Sequence, residues 1–175
     1  RVYELLYDVL VEQARWMVDV LYEQPLTTLD GTNIPFPALA FRNFGFHDSP
    51  DKVIICGIHG TESASVVAAA AYAAPIAAFG KTQKILLIIA NPWGYAQNKE
   101  YGYTNVSVGD FDQSASGNVD HPASPEAQKM ALYLSHIMKK SVRFGVLDLH
   151  EDPPDDDGMI YVDSHGTYIY VTGYG

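Results

Sequence analysis

The 175-residue sequence predicts one α/β domain, a sheet with helices on both faces. Three observations predict it. The runs KVIICGI (52–58), KILLIIA (84–90) and FGVLDLH (144–150) are almost continuously apolar over strand length, as strands covered on both faces are. Helical patterns lie between them. With 47% hydrophobic residues, the chain can bury one substantial core but falls short of two domains. No repeat or linker divides it, so residues 1–175 form one expected domain.

Taken in order, Val2, Leu5, Leu6, Val9, Leu10, Trp16, Met17, Val20 and Leu21 recur at helical spacing ahead of Pro25 and predict an amphipathic helix over 2–22. ALAFRNFGF (38–46) partly alternates and predicts a strand. Thr61 to Phe79 predicts a helix closed by Gly80. Residues 91–123, rich in Asn, Gly, Ser, Tyr and Asp, have no period; a loop of that length is often functional. SPEAQKMALYLSHIMKK (124–140) opens with Ser124 as N-cap and Pro125 at the first helical position, and ends with Lys139 and Lys140 against the helix dipole. EDPPDDDG (151–158) is a turn-rich acidic loop, and MIYVDS and TYIYVTG are two further strands.

Composition excludes several function classes. A net charge of −10, with 11 Lys plus Arg scattered along the chain, offers no basic footprint for nucleic acid or for an anionic membrane. The apolar stretches 64–79 and 84–90 are too short or too rich in small residues to span a bilayer. Cys56 is the only cysteine, so there is neither an intrachain disulfide nor a cysteine zinc site, and it reads as a buried strand thiol. With no signal-peptide pattern, the expected compartment is the cytoplasm. GxSxG, GxGxxG and P-loop motifs are absent, which removes the common serine-hydrolase and nucleotide readings.

Sites in open α/β sheets form beyond the carboxyl ends of strands. His59 and Asn91 directly follow the first two apolar runs, and His150 ends the third, after FGVLDL. In GIHGTES (57–63), His59 and Glu62 are either metal ligands or a turn residue and a helix-end carboxylate facing the dipole. His59, Glu62 and His150 would supply three zinc donors and leave a fourth position for water. His165 is a rival third ligand, and the five carboxylates of EDPPDDDG miss the EF-hand spacing and read as a solvated turn.

The ordered landmarks HGTE (59–62), NPWGY (91–95), GDFDQ (109–113), SPEA (124–127) and LDLHED (147–152) resemble the zinc carboxypeptidases and their relatives, the succinylglutamate desuccinylase and aspartoacylase type deacylases. The resemblance runs from about residue 50 to 152. It implies a three-layer α/β/α fold with a mixed, largely parallel sheet. It also implies one zinc ion on His59, Glu62 and His150, and hydrolysis of an amide bond in a peptide or an N-acyl amino acid. Asp110 then holds the free ring N–H of His59, and Asp148, two residues before His150, can do the same for that histidine. Asn91 and Pro92 match a turn that shapes the cleft, and Tyr103, Asn105 and Gln113 match substrate-facing positions.

The departures shape the expectation. Gln113, preceded by Asp112, stands where the family has an arginine that grips a terminal carboxylate, and Tyr103 stands where relatives carry an oxyanion arginine. Lys99 is the one basic residue between Lys84 and Lys129 and is the candidate for that electrostatic role. The family's general-base glutamate lies on a late strand, yet no glutamate follows Glu151, which leaves Glu151 itself or a base beyond Gly175 in a catalytic domain incomplete at its C-terminus. An atypical metallopeptidase is the leading expectation, an N-acyl amino-acid deacylase the alternative, and a non-catalytic metal-binding module the third.

Overall fold

The run Ile85–Ile89 is buried along its whole length, which suits a strand covered on both faces. It lies inside a six-stranded sheet in a computed structural model that describes residues 1–99, 125–137, 145–149 and 168–171. The strands are β1 (Met17–Thr27), β2 (Asn33–Arg42), β3 (Lys52–Cys56), β4 (Ile85–Ile89), β5 (Val146–Leu149) and β6 (Tyr168–Val171). Their spatial order is β1-β2-β4-β3-β5-β6. β4, β3, β5 and β6 run parallel, while β1 and β2 form an antiparallel hairpin on the β4 edge. The mixed, largely parallel sheet that the resemblance implied is present.

Helices cover both faces. The segment α1 (Val2–Leu6), continued by a π-helical stretch Tyr7–Gln13, packs with α2 (Ser63–Ala71) and α3 (Ala73–Phe79) over a core containing Leu6, Leu10, Phe41, Cys56, Val66 and Leu87. On the other face, α5 (Pro125–Ile137) contributes Met130, Leu134 and Ile137 to a core with Val53, Ile55, Leu86 and Ile88. A short helix, α4 (Pro92–Gln97), follows β4.

Four expectations need correction. The N-terminal helix ends at Gln13; Arg15 takes a left-handed φ of 62° and the chain enters β1 at Met17. Trp16, Met17, Val20 and Leu21 fit a helical period, but the β-branched and aromatic content of MVDVLY suits a strand, and pairing with β2 decides. The helix over 61–79 is two helices broken at Tyr72. Pro75 lacks the N–H that Ala71 would accept, so α2 stops there and α3 starts with the proline in its first turn. The long loop from 91 opens with α4, where Asn91 caps and Pro92 takes the first helical position. The strand at 38–46 begins earlier, at Asn33, and ends at Arg42. MIYVDS and EDPPDDDG lie outside the described residues, and TYIYVTG supplies β6.

The hairpin carries a consequence for the site. β2 pairs with β4 only from Leu39–Ile89 to Arg42–Leu86, whereas the β1–β2 ladder continues to Thr27–Asn33. Residues 22–38 of the hairpin therefore overhang the carboxyl end of β4 as an arm. Pro25, Pro35 and Pro37 lie in this overhang, where a missing backbone N–H disturbs no central ladder.

Candidate metal centre

The order β4-β3-β5 sets three parallel carboxyl ends side by side, with β3 in the middle. The chain leaves β3 through Gly57, whose φ of +66° and whose missing Cβ, which would stand 2.5 Å from Val66 Cγ2, both call for glycine. Gly57 N donates to Ser65 Oγ at 3.1 Å, tying the turn to α2. Glu62 N donates to His59 O at 3.2 Å, and this turn brings the two side chains together. His59 Nδ1 and Glu62 Oε1 are in hydrogen-bond contact, with the two side chains only 12% and 17% exposed.

Glu62 occupies the N-cap position of α2 but its side chain makes no capping hydrogen bond. Its carboxylate contacts the histidine. Glu62 thus makes no side-chain cap, and an imidazole nitrogen and a carboxylate oxygen lie in contact beyond the carboxyl end of β3.

Asn91 closes the neighbouring strand end. It is fully buried, donates its backbone N–H to Gly57 O at 2.9 Å, and accepts from Gly94 N through Oδ1 at 3.0 Å. The α4 helix so capped lies against the His59 turn: a Cβ on Gly60 would stand 2.1 Å from the Gly94 carbonyl carbon and 2.3 Å from Lys99 O. Glycine at 60 thus permits the contact that seats the turn. Asn91 acts here through its backbone and its cap, inside the protein.

Lys99 donates its backbone N–H to Gly94 O at 2.8 Å and its side chain is exposed. Asp148 is half-buried on β5, paired in register with Ile55. His150 directly follows Leu149 in sequence, but it lies outside the described residues together with Tyr103, Asn105, Asp110, Asp112, Gln113, Glu151 and His165. Among the described residues no group of three or more His, Cys, Asp or Glu gathers to hold a metal. Two of the three residues that the resemblance implies as ligands, His59 and Glu62, are in contact and largely shielded from water, and an imidazole nitrogen with a carboxylate oxygen is a donor pair of the kind zinc takes.

Three buried polar residues escaped the sequence reading. Tyr22 and Gln24 of β1 and Glu126 of α5 are 3%, 2% and 8% exposed. The Tyr22 hydroxyl donates to Ala90 O, and Gln24 Nε2 donates to Glu126 Oε1 at 3.1 Å. Trp93 of α4 donates through Nε1 to Pro25 O at 3.1 Å. A strand assignment for 17–27 would have placed Tyr22 and Gln24 on one face.

Cys56, at the end of β3, is buried, and burial first, then the charge of Asp148, pushes its thiol up to about 12 from 9.0. The folded protein should therefore resist iodoacetamide at pH 8 and react only on unfolding. Because the folded value is raised, this group's contribution to stability is full below about pH 9 and is lost as pH rises from there toward 12. Alkylation at pH 8 at the rate of a free thiol peptide would contradict the burial.

No sequence-family model and no curated sequence matches the chain. Solved structures do match it in fold. A candidate metallopeptidase from Shewanella denitrificans superposes with a TM-score of 0.60 at 20% identity, over 86% of this chain and 51% of that one. A second, from Shewanella amazonensis, gives 0.60 at 18% identity over 91% and 56%. An aspartoacylase family protein from Mesorhizobium loti gives 0.51 at 17% identity over 79% and 41%. The chain spans about half the length of the solved structures it matches. At these identities the likeness establishes the fold, the one that the ordered landmarks implied. Among the described residues, no helix is long and apolar enough to cross a membrane.

Proposed function

We infer that the protein is a zinc-dependent hydrolase of an amide or peptide bond, a metallopeptidase of atypical substrate preference. The observation that carries this reading is the contact between His59 and Glu62 at the carboxyl end of the strand that lies between β4 and β5. His150, the residue after β5, would complete the ligand set from the adjacent strand. When bound, zinc acidifies a water and polarises a carbonyl.

The chain's own residues would do the rest. His59 and Glu62 supply nitrogen and oxygen donors from one turn, and Asp110 and Asp148 are the acceptors proposed to fix the histidine rings. Lys99 is the cation proposed to favour developing negative charge, and Glu151 is the in-chain candidate to move a proton. Tyr103, Asn105 and Gln113 face the substrate in this reading. An amide at position 113 can hydrogen-bond a neutral group but lacks the bidentate charged fork that grips a carboxylate. The substrate is therefore a peptide recognised away from a free C-terminal carboxylate. The cytoplasm is the proposed compartment, supported by the single cysteine being a buried free thiol.

A panel of free peptides, C-terminally amidated peptides and N-acyl amino acids tests the reading. Turnover of amidated and free peptides at similar rates, lost with a chelator and restored by zinc, is the expected result. Turnover of N-acyl amino acids alone would assign a deacylase, and bound zinc with no turnover of any of them would assign a binding module.

A further inference from the structure

The polar groups buried in the hairpin arm have no part in the zinc chemistry, and their positions give them another. The β2–β4 ladder ends at Leu39–Ile89, so the next carbonyl of the chain, Ala90 O, finds no ladder partner on β2. Tyr22 supplies the missing donor from one strand further away. It pairs in register with Ala38, a fully buried small residue, and its hydroxyl reaches Ala90 O. Burial, then Tyr3 and Glu126, hold that hydroxyl well above its ordinary range, so it remains a donor at every working pH. Gln24, two residues on, ties the same strand face to Glu126 in the first turn of α5.

Contacts continue from Ala90 to the metal centre. Ala90 N donates to Cys56 O and Asn91 N to Gly57 O, both at 2.9 Å. Asn91 caps α4 through Gly94 N, and Gly94 abuts Gly60, the residue beside His59. We propose that Tyr22 is a positioning residue for the candidate metal centre: its hydroxyl holds the end of β4 so that α4 seats the His59–Glu62 turn. Only the metal-affinity part of the test rests on the zinc reading.

Tyr22→Phe removes the hydroxyl and keeps the ring. Tyr3→Phe is the matched control, because the Tyr3 hydroxyl also donates to a carbonyl of the arm, Pro37 O at 2.8 Å, which belongs to β2 and not to the end of β4. Two quantities separate positioning from general stability: zinc affinity by chelator competition, and amide exchange at Asn91 and Gly94. Tyr22→Phe is expected to weaken zinc about tenfold and to speed both amides by a similar factor, with Tyr3→Phe leaving each within about twofold of wild type. Equal effects of the two variants on both quantities would overturn the proposal. If the wild type holds no zinc, the zinc reading fails by itself, and the exchange comparison alone decides whether Tyr22 positions the strand end.

Discussion

Gly60→Ala should disable the candidate metal centre and destabilise the protein together. The added Cβ would meet the Gly94 carbonyl carbon at 2.1 Å, Lys99 O at 2.3 Å and Gly94 Cα at 2.5 Å, all backbone atoms that no rotamer change can move. Either the His59 turn or α4 must shift. Overpacking of this kind costs about 1–3 kcal/mol, which for a chain of this size lowers Tm by roughly 3–10 °C. Displacing a functional group by about 1 Å costs on the order of a hundredfold in rate, and a comparable loss of zinc affinity is expected. Gly31→Ala is the control. Gly31 has a left-handed φ of +84° but open space around it, so its substitution strains only the hairpin tip, by about 1 kcal/mol, and leaves zinc affinity unchanged. Calorimetry and chelator competition on both variants check the pair, and an unchanged Tm with unchanged zinc affinity in Gly60→Ala would contradict the packing described.

Glu62→Gln should separate function from stability. The substitution keeps size and removes the charge that His59 contacts. The glutamine amide oxygen can still accept a hydrogen bond where Glu62 Oε1 meets His59, so no buried polar atom need lose its partner and Tm should move little. Outer-shell partners of a metal typically contribute about 10–100-fold to affinity or activity, and a ligand itself should exceed that. Turnover of the amidated peptide is therefore expected to fall by more than about a hundredfold, with the circular dichroism spectrum unchanged. Wild-type turnover in Glu62→Gln would remove Glu62 from the site.

Much of this was legible in the sequence, and the reasons are specific. KVIIC and ILLII are apolar without interruption, and a strand covered on both faces needs that, so β3 and β4 were readable directly. The N-terminal stretch was not, because Trp16 to Leu21 satisfies a helical period as well as a strand, and only pairing with β2 distinguishes them. The break at Tyr72 was announced by Pro75, and the start of α4 by Asn91-Pro92, but each signal stood inside a composition that pointed elsewhere. Periodicity carries no information about neighbours in a sheet. The order β4-β3-β5, which sets the carboxyl ends of those three strands side by side, therefore came from structure alone, as did the reach of Tyr22 across Ala38 to Ala90. The turn His59–Glu62 was legible as a candidate because a histidine and a carboxylate three apart, straight after a buried strand, stand where α/β sheets place their sites.

Zinc content per chain tests the central claim most directly, measured by metal analysis on wild type, His59→Ala and His150→Ala purified in parallel. About one zinc per wild-type chain, with loss of that zinc in each variant while the fold persists, is the predicted result. Full zinc retention in His59→Ala would contradict the assignment of the β3 turn as a metal centre.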